Sequence, residues 1–593
     1  MNLDQKNPHE FIIPVMGTGF TVDTPARIAR YGVSSVISLV DDVLLEQMRE
    51  MYCEKEGVPF EPIPASDEDP RARRITAYLN QMHSIVSRQV DALQSSPFEE
   101  GSEITRYYEM LPESPLKAQY TEMLECEDPA RKESLIKALR QSAVPGTIDV
   151  NIMTKLDCVN FRKGEQRPAQ YNDAMASLRG FALSDLRASM VFSAGLSPTL
   201  YGYVAEFPDF FPDEHGNIKK RITLKVSDFR SAFIQGKFFA KRGLWISEFR
   251  IESGLNCGGH VFASKGDLMG PIMEKFRDER DDMLSTLRGT YLKALAAMDK
   301  SEPAALPDFL VTVQGGVATA SEHSSMLDYF RADQVGWATP FLLVPEVTNV
   351  DDKHLELLEE AGEEEVFLSD ASPVGVQFWN LWTSGSETAR RRRIEEGAPG
   401  SACPKGLLRF NSEFTERAIC RASRLYQKLK LEWLEKQDLP KETSDAIQHD
   451  VLSKSCICHD LAGGATIKHG IDPDAEPAIC PSKSIVFFSK IASLEEMVDH
   501  IYGRVALFTN SERPHMFIRE LKLYIDHLRK ELESFSKGVL DRKPSYFSEF
   551  KENLLGGIKY YRECALQFVH EHQDRFLEDL TALCEQLEQI PVE

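Results

Sequence analysis

No stretch of this chain is apolar for long enough to cross a membrane. Its apolar runs, such as Phe341 to Val344, fall far short of the roughly 20 residues that a helical span needs. The first ten residues, Met1 to Glu10, are polar and lack the apolar core of a secretory signal. Positive charge is also in short supply: 69 Lys and Arg stand against 92 Asp and Glu, for a net charge of −23. That balance argues against nucleic acid or an anionic membrane surface as the main partner. Cysteine is sparse and does not pair evenly, with 11 scattered over 593 residues, unlike a secreted disulfide framework. These absences leave a soluble, cytoplasmic protein with a small-molecule partner as the expectation. What is abundant is ordinary core material. At 42% hydrophobic residues and 593 in all, the chain exceeds a single core and predicts two or three domains.

Two glycine motifs carry the chemistry. Glu252-Ser253-Gly254-Leu255-Asn256-Cys257-Gly258-Gly259-His260 follows a strand-like segment, and Val313-Gln314-Gly315-Gly316-Val317-Ala318 ends another. Glycine at the C-terminal end of a strand lets backbone N–H groups approach a phosphate or a flat ring that a Cβ would obstruct. Histidine is the side chain whose ordinary pKa suits proton transfer near neutrality, so His260 is the candidate acid or base.

Strand-like segments recur along the first 350 residues: Phe11–Val15, Ser34–Val40, Ile148–Met153, Ser189–Ser193, Arg221–Val226, Leu244–Ile251, Phe309–Val313 and Gln334–Trp337. Eight is the strand count of a closed (β/α)8 barrel, whose active site lies at the strands' C-terminal ends, where both motifs fall. The spacing therefore predicts an α/β fold, a TIM-type barrel over 10–350. Thr24-Pro25 reads as a helix cap followed by proline in the first turn. Between about 41 and 145 the pattern turns helical, with Ile75, Leu79, Met82, Val86, Val90 and Leu93 on one stripe. This predicts a helical insertion, with Glu127 to Lys132 as a loop between helices.

The motifs, in their order, resemble the nitronate monooxygenase family (2-nitropropane dioxygenases) and the related FMN-dependent enoyl-ACP reductases. The resemblance rests on Pro14-Val15-Met16-Gly17 with Thr24-Pro25, Val150-Asn151-Ile152-Met153, Ser193-Ala194-Gly195-Leu196-Ser197-Pro198, Ser253 to His260, Val313 to Ala318 and Asp333 to Phe341. It departs where the family's glutamate is Ser253 and where a glycine of the last phosphate motif is Ala338. The resemblance implies bound FMN. Its phosphate would lie at Gly315, Gly316, Ala338 and Thr339, and its ring near Met16, Gly17, Asn151, Gly258 and Gly259, with His260 as acid or base. The implied activity is oxidation of a nitronate-like or other carbon acid. NAD(P)H-dependent reduction of an activated double bond, or a flavin-binding protein without chemistry, is the alternative. Lys155 and Lys225 lie near strand ends, where they could face the cofactor, and read more simply as solvated lysines.

The remainder, 351–593, falls outside the resemblance and reads as a largely helical cap. Its acidic stretch Glu356 to Glu365 suits a solvated surface, and Phe378-Trp379-Asn380-Leu381-Trp382 an aromatic anchor. Arg390 to Arg393 suits an exposed charged helix or a hold on an anionic substrate tail. Phe517, Leu521, Tyr524, Ile525, Leu528 and Leu532 form a helical stripe for a core or for a contact between copies of the chain in a homo-oligomer. Cys403, Cys456, Cys458 and Cys480 are candidate ligands for an iron–sulfur cluster or zinc, against buried free thiols as the default.

Overall fold

The structure, a computed structural model, describes residues 7–592 except 155–156, 194, 196, 255–258, 262, 264, 304–306, 308, 489, 509–512 and 539. Eight parallel strands close into a barrel in chain order. They are β1 (Phe11–Ile13), β2 (Ser34–Ser38), β3 (Ile148–Ile152), β4 (Ala188–Phe192), β5 (Lys220–Val226), β6 (Ile246–Glu252), β7 (Leu310–Gln314) and β8 (Gln334–Gly336). β8 pairs back to β1 through Phe11 opposite Val335, which closes the ring. Every expected strand is present, each trimmed or shifted by a few residues.

Strand alternation explains both faces of the barrel. In β5, Ile222, Leu224 and Val226 alternate with Thr223 and Lys225, and in β6 Phe249 and Ile251 alternate with Glu248, Arg250 and Glu252. The apolar set joins the main core with the surrounding helices. The polar set meets in the lumen. Arg250 pairs with Glu248 at 2.7 Å, and the hydroxyls of Thr223 and Thr312 donate to the same carboxylate. Burial alone would raise the Glu248 pKa, but Arg250 and these hydroxyls outweigh it and hold the group below its ordinary value.

Between β2 and β3 lie five helices, Asp42–Glu56, Pro70–Ser95, Glu103–Met110, Pro115–Glu125 and Pro129–Ser142. The stripe from Ile75 to Leu93 is buried, as its spacing requires. The charged stretch expected as a loop instead starts the last of these helices, because the Asp128 side chain accepts the Ala130 N–H and Pro129 suits a first turn. Likewise Asp23, not Thr24, precedes the first helix, and the Thr24 hydroxyl donates to the Val347 carbonyl at 2.7 Å.

After residue 350 come a two-stranded antiparallel hairpin, β9 (Val366–Ser369) and β10 (Phe378–Leu381), and a series of helices. Three of these, Met516–Ser536, Pro544–Phe568 and Gln573–Glu588, pack onto one another and onto the barrel. Arg513 pairs with Glu322, and the Gly270 N–H donates to the Tyr561 hydroxyl at 3.2 Å.

Arg250→Met strands the Glu248 carboxylate in the lumen. It should lower the unfolding free energy by about 3–5 kcal/mol, measured by urea denaturation, and a Glu248→Gln/Arg250→Met double variant should lose less.

Candidate functional site

The C-terminal ends of the strands open into a cavity of about 850 Å³, within the range of small-molecule sites. Its floor is the uppermost lumen layer: Asn151 of β3, Lys225 of β5 and Glu252 of β6. Lys225 Nζ lies 3.3 Å from Glu252 Oε2, and the Gln314 amide donates to Oε1 of the same carboxylate. Lys225 is 4% exposed, so the expectation of a solvated lysine is wrong. Two residues further along β5 from Thr223, it points into the lumen with its charge answered by Glu252. The buried Asn151 Oδ1 has no hydrogen-bond partner among the described residues. A buried amide oxygen in that state is a vacant acceptor on the cavity floor.

His260 closes the cavity from above. Its Nε2 sits 2.9 Å from Ser372 Oγ, and its ring meets Phe378 edge-on at 5.0 Å between centroids. The backbone around it is clamped to the hairpin: Trp379 N–H donates to the Gly259 carbonyl at 2.8 Å, and Val261 N–H to that of Gln377 at 2.9 Å. Burial, and secondarily the Lys225 charge, push the His260 pKa down to about 4. The ring is therefore neutral near pH 7, with a lowered affinity for a proton.

A second cavity of about 40 Å³ adjoins the first, sharing Val15 and Glu252 in its lining. Met16, Gly259, Gly315, Ala338 and Thr339 line it, while Gly17 faces the larger one. Gly315 and Gly316 have φ of +108° and +92°, a left-handed backbone that only glycine adopts without strain. Gly316 stands slightly aside. Its carbonyl accepts from Arg513 at 2.8 Å, and a Cβ there would lie 3.6 Å from Met516. Thr339 Oγ1 is 3.0 Å from Ser482 Oγ. Gly258 and Lys155 lie outside the described residues. The donor set suits a phosphorylated flavin: ring-sized space over Asn151 and Lys225, next to a compact glycine-lined seat. Among the described residues no Lys or Arg lines that seat, so a phosphate there would rest on backbone N–H groups.

One carboxyl group had no sequence signal. Glu520, from the helix Met516–Ser536, is buried, accepts the Ser253 hydroxyl at 2.9 Å and the Met269 N–H at 3.0 Å. Burial raises its pKa to about 7, and these two hydrogen bonds offset only part of the rise. Ser253 itself lines the large cavity. The carboxyl thus meets Ser253 from 267 residues away in the chain.

The distal cysteines are arranged differently from expectation. Cys480 lies against Gly259 and lines the small cavity, apart from Cys403, Cys456 and Cys458, which gather with Cys420 in a separate apolar cluster. Among the described residues, no group of three or more His, Cys, Asp or Glu side chains is arranged to hold a metal ion. The four-cysteine ligand set for zinc or iron–sulfur is thereby corrected. Arg390 to Arg393 also stay away from both cavities: Arg390 pairs with Glu387, Arg391 covers Trp382 at 4.1 Å, and Arg392 and Arg393 hold Glu476.

No protein-family model and no curated protein matches the chain. Among solved structures it is similar to the enoyl reductase domain of MlnA from the macrolactin biosynthesis cluster of Bacillus amyloliquefaciens, at 13% identity and a TM-score of 0.32, over 68% of this chain and 89% of that one. It is also similar to nitroalkane oxidase from Streptomyces ansochromogenes, at 12% identity and a TM-score of 0.28, over 64% and 86%. At these scores the barrel stands on its own strand pairing.

The depressed His260 pKa links stability to pH. Below its ordinary value of 6.5 the unfolded chain takes up a proton that the folded site refuses, so this contribution is full above pH 6.5 and lost as pH falls to about 4. His260→Gln should flatten the pH dependence of urea unfolding between those limits, by up to about 2 kcal/mol at pH 5.

Proposed function

We propose that this protein is an FMN-dependent oxidoreductase acting on a carbon acid of the nitroalkane or nitronate type, with His260 as the base. The observation that carries this reading is a buried, neutral imidazole facing a cavity of about 850 Å³ whose floor offers the vacant Asn151 oxygen and the Lys225–Glu252 pair. When bound, the flavin supplies a two-electron acceptor. The chain's own residues do the rest. Gly315, Ala338 and Thr339 would seat the phosphate, and Met16, Gly17, Asn151 and Gly259, with Gly316 beside them, would frame the remainder. Lys225, held by Glu252, places a positive charge where an anionic substrate or a reduced ring would gather negative charge. The His260 imidazole, steadied by Ser372, takes the proton leaving the substrate carbon. Phe378 and the hairpin behind it keep bulk water from the ring.

A second reading draws support from Glu520. A buried carboxyl still protonated near neutrality, with a hydroxyl between it and the cavity, suits delivery of a proton to carbon through Ser253. That is the need of an enoyl-type reduction with NAD(P)H as the electron source.

Purified protein should be yellow and release FMN on denaturation. Anaerobic mixing with nitronates, NADH or NADPH identifies the electron donor by bleaching of the flavin band; a colourless protein that takes up no FMN would refute the proposal. His260→Ala should keep FMN and slow turnover by roughly 10²–10⁴-fold. If reduction is the activity, Glu520→Gln should remove the fall in rate that wild type shows as pH rises through about 7, where burial places this carboxyl, while flavin content is unchanged.

A further inference from the structure

We infer, on the flavin reading above, that Glu322 and Arg513 are positioning residues: a buried ion pair that holds the glycine turn after β7 in the shape that receives the cofactor's phosphate. Half of the device is local. Thr319-Ala320-Ser321-Glu322 has the form of a capping box, and a helix of nine residues, Ala320–Asp328, begins there. The Thr319 hydroxyl accepts the Glu322 N–H at 3.0 Å, as that motif requires. The Glu322 carboxylate reaches one residue past the motif's usual target and accepts the Ala318 N–H at 2.9 Å. It thereby grips the turn itself and not only the helix.

The other half arrives 191 residues later in the chain. Arg513 donates through one nitrogen to Glu322 Oε1 and through another to the Gly316 carbonyl at 2.8 Å. The same Oε1 accepts the Met516 N–H at 2.7 Å. Both side chains of the pair are 3% exposed. Burial alone would raise the Glu322 pKa, but Arg513 and the hydrogen bonds outweigh it and hold the group below its ordinary value. A third residue fastens the end of the turn. The Leu507 N–H donates to His500 Nδ1 at 3.2 Å, so the ring proton lies on Nε2, which donates to the Ala318 carbonyl at 2.9 Å.

The groups that are tied down determine which are left over. A trans peptide points its C=O and the N–H that follows in opposite directions. With the Gly316 carbonyl held by Arg513, the Val317 N–H is turned away from that side chain. Among the described residues, no protein acceptor takes the N–H of Gly315, Gly316 or Val317. Val317 is buried, and a buried N–H without an acceptor is costly. Successive unpaired N–H groups, at residues with φ of +108° and +92°, suit an anion, and Gly315 lines the small cavity. Phosphate oxygens would supply the missing acceptors. Neither Glu322 nor Arg513 lines that cavity, so the pair acts through the backbone, and its signature is selectivity for phosphate.

The test titrates flavin-free, full-length protein with FMN and with riboflavin, which lacks the phosphate, following the flavin fluorescence. Wild type should favour FMN by roughly 100-fold, as hydrogen bonds to a charged group would give. Glu322→Gln/Arg513→Met removes both charges together, so neither is stranded. It should lose most of that preference by weakening FMN, with riboflavin affinity kept. Arg513→Lys leaves Glu322 a cation but replaces the fork with one ammonium, and should keep an intermediate preference. The ³¹P resonance of bound FMN should shift in both variants. Equal weakening of the two flavins, or an unchanged preference, would overturn the inference. So would a wild type that binds both flavins alike. A wild type that binds neither flavin would overturn the flavin reading itself, and this inference with it. If the double variant does not fold, the FMN-to-riboflavin ratio of Arg513→Lys decides.

Discussion

Charge buried in the barrel lumen is the constraint around which this molecule is organised. Glu248, Arg250, Glu252 and Lys225 all point into an interior that excludes water, and each would be intolerable alone. Glu248 and Arg250 satisfy one another in the middle of the barrel, with hydroxyls from two neighbouring strands completing the carboxylate's shell. One layer higher, Glu252 and Lys225 do the same at the rim, with Gln314 as third partner. Because the strands carrying these groups must keep register for the pairs to meet, the same contacts that hold the lumen together also set the floor of the cavity.

The barrel was legible because its outer face obeys simple alternation. Strands such as β4, Ala188-Ser189-Met190-Val191-Phe192, are apolar, and their spacing along the chain suits helix-linked parallel pairing. The floor was legible only in part. Gly315 and His260 follow the glycine-rich strand ends and Asn151 was named only through the resemblance, but Lys225 looked like any surface lysine. Its neighbour in space, Glu252, is 27 positions away, and pairwise neutralisation across strands leaves no local trace. Glu520 was missed although it lies on the buried face of the stripe from Phe517 to Leu528, because a carboxylate on a helix reads as solvated, and Ser372 because it comes from the loop of the hairpin. The cysteines show the limit from another side. Proline-flanked Cys403 and Cys480 looked equivalent, yet chain topology sends one to the separate apolar cluster and the other beneath Gly259.

Proton affinities in the site follow from enclosure more than from neighbours. His260 and Glu520 are moved in opposite directions, down to about 4 and up to about 7, and burial is the leading cause for both. Each is thereby biased to its uncharged form. Enclosure comes from the region after residue 350. The hairpin covers the imidazole, and the helix Met516–Ser536 carries the carboxyl in.

That arrangement fixes an order of events during synthesis. A ribosome delivers all eight barrel strands before it reaches Ser372, Phe378 and Trp379, the residues that clamp His260, and Glu520 emerges later still. A nascent barrel therefore holds its glycine turns and lumen charges while His260 lacks its clamp and its enclosure. The enclosure of His260 is thus completed last, and a messenger truncated after the barrel would encode a chain that lacks it.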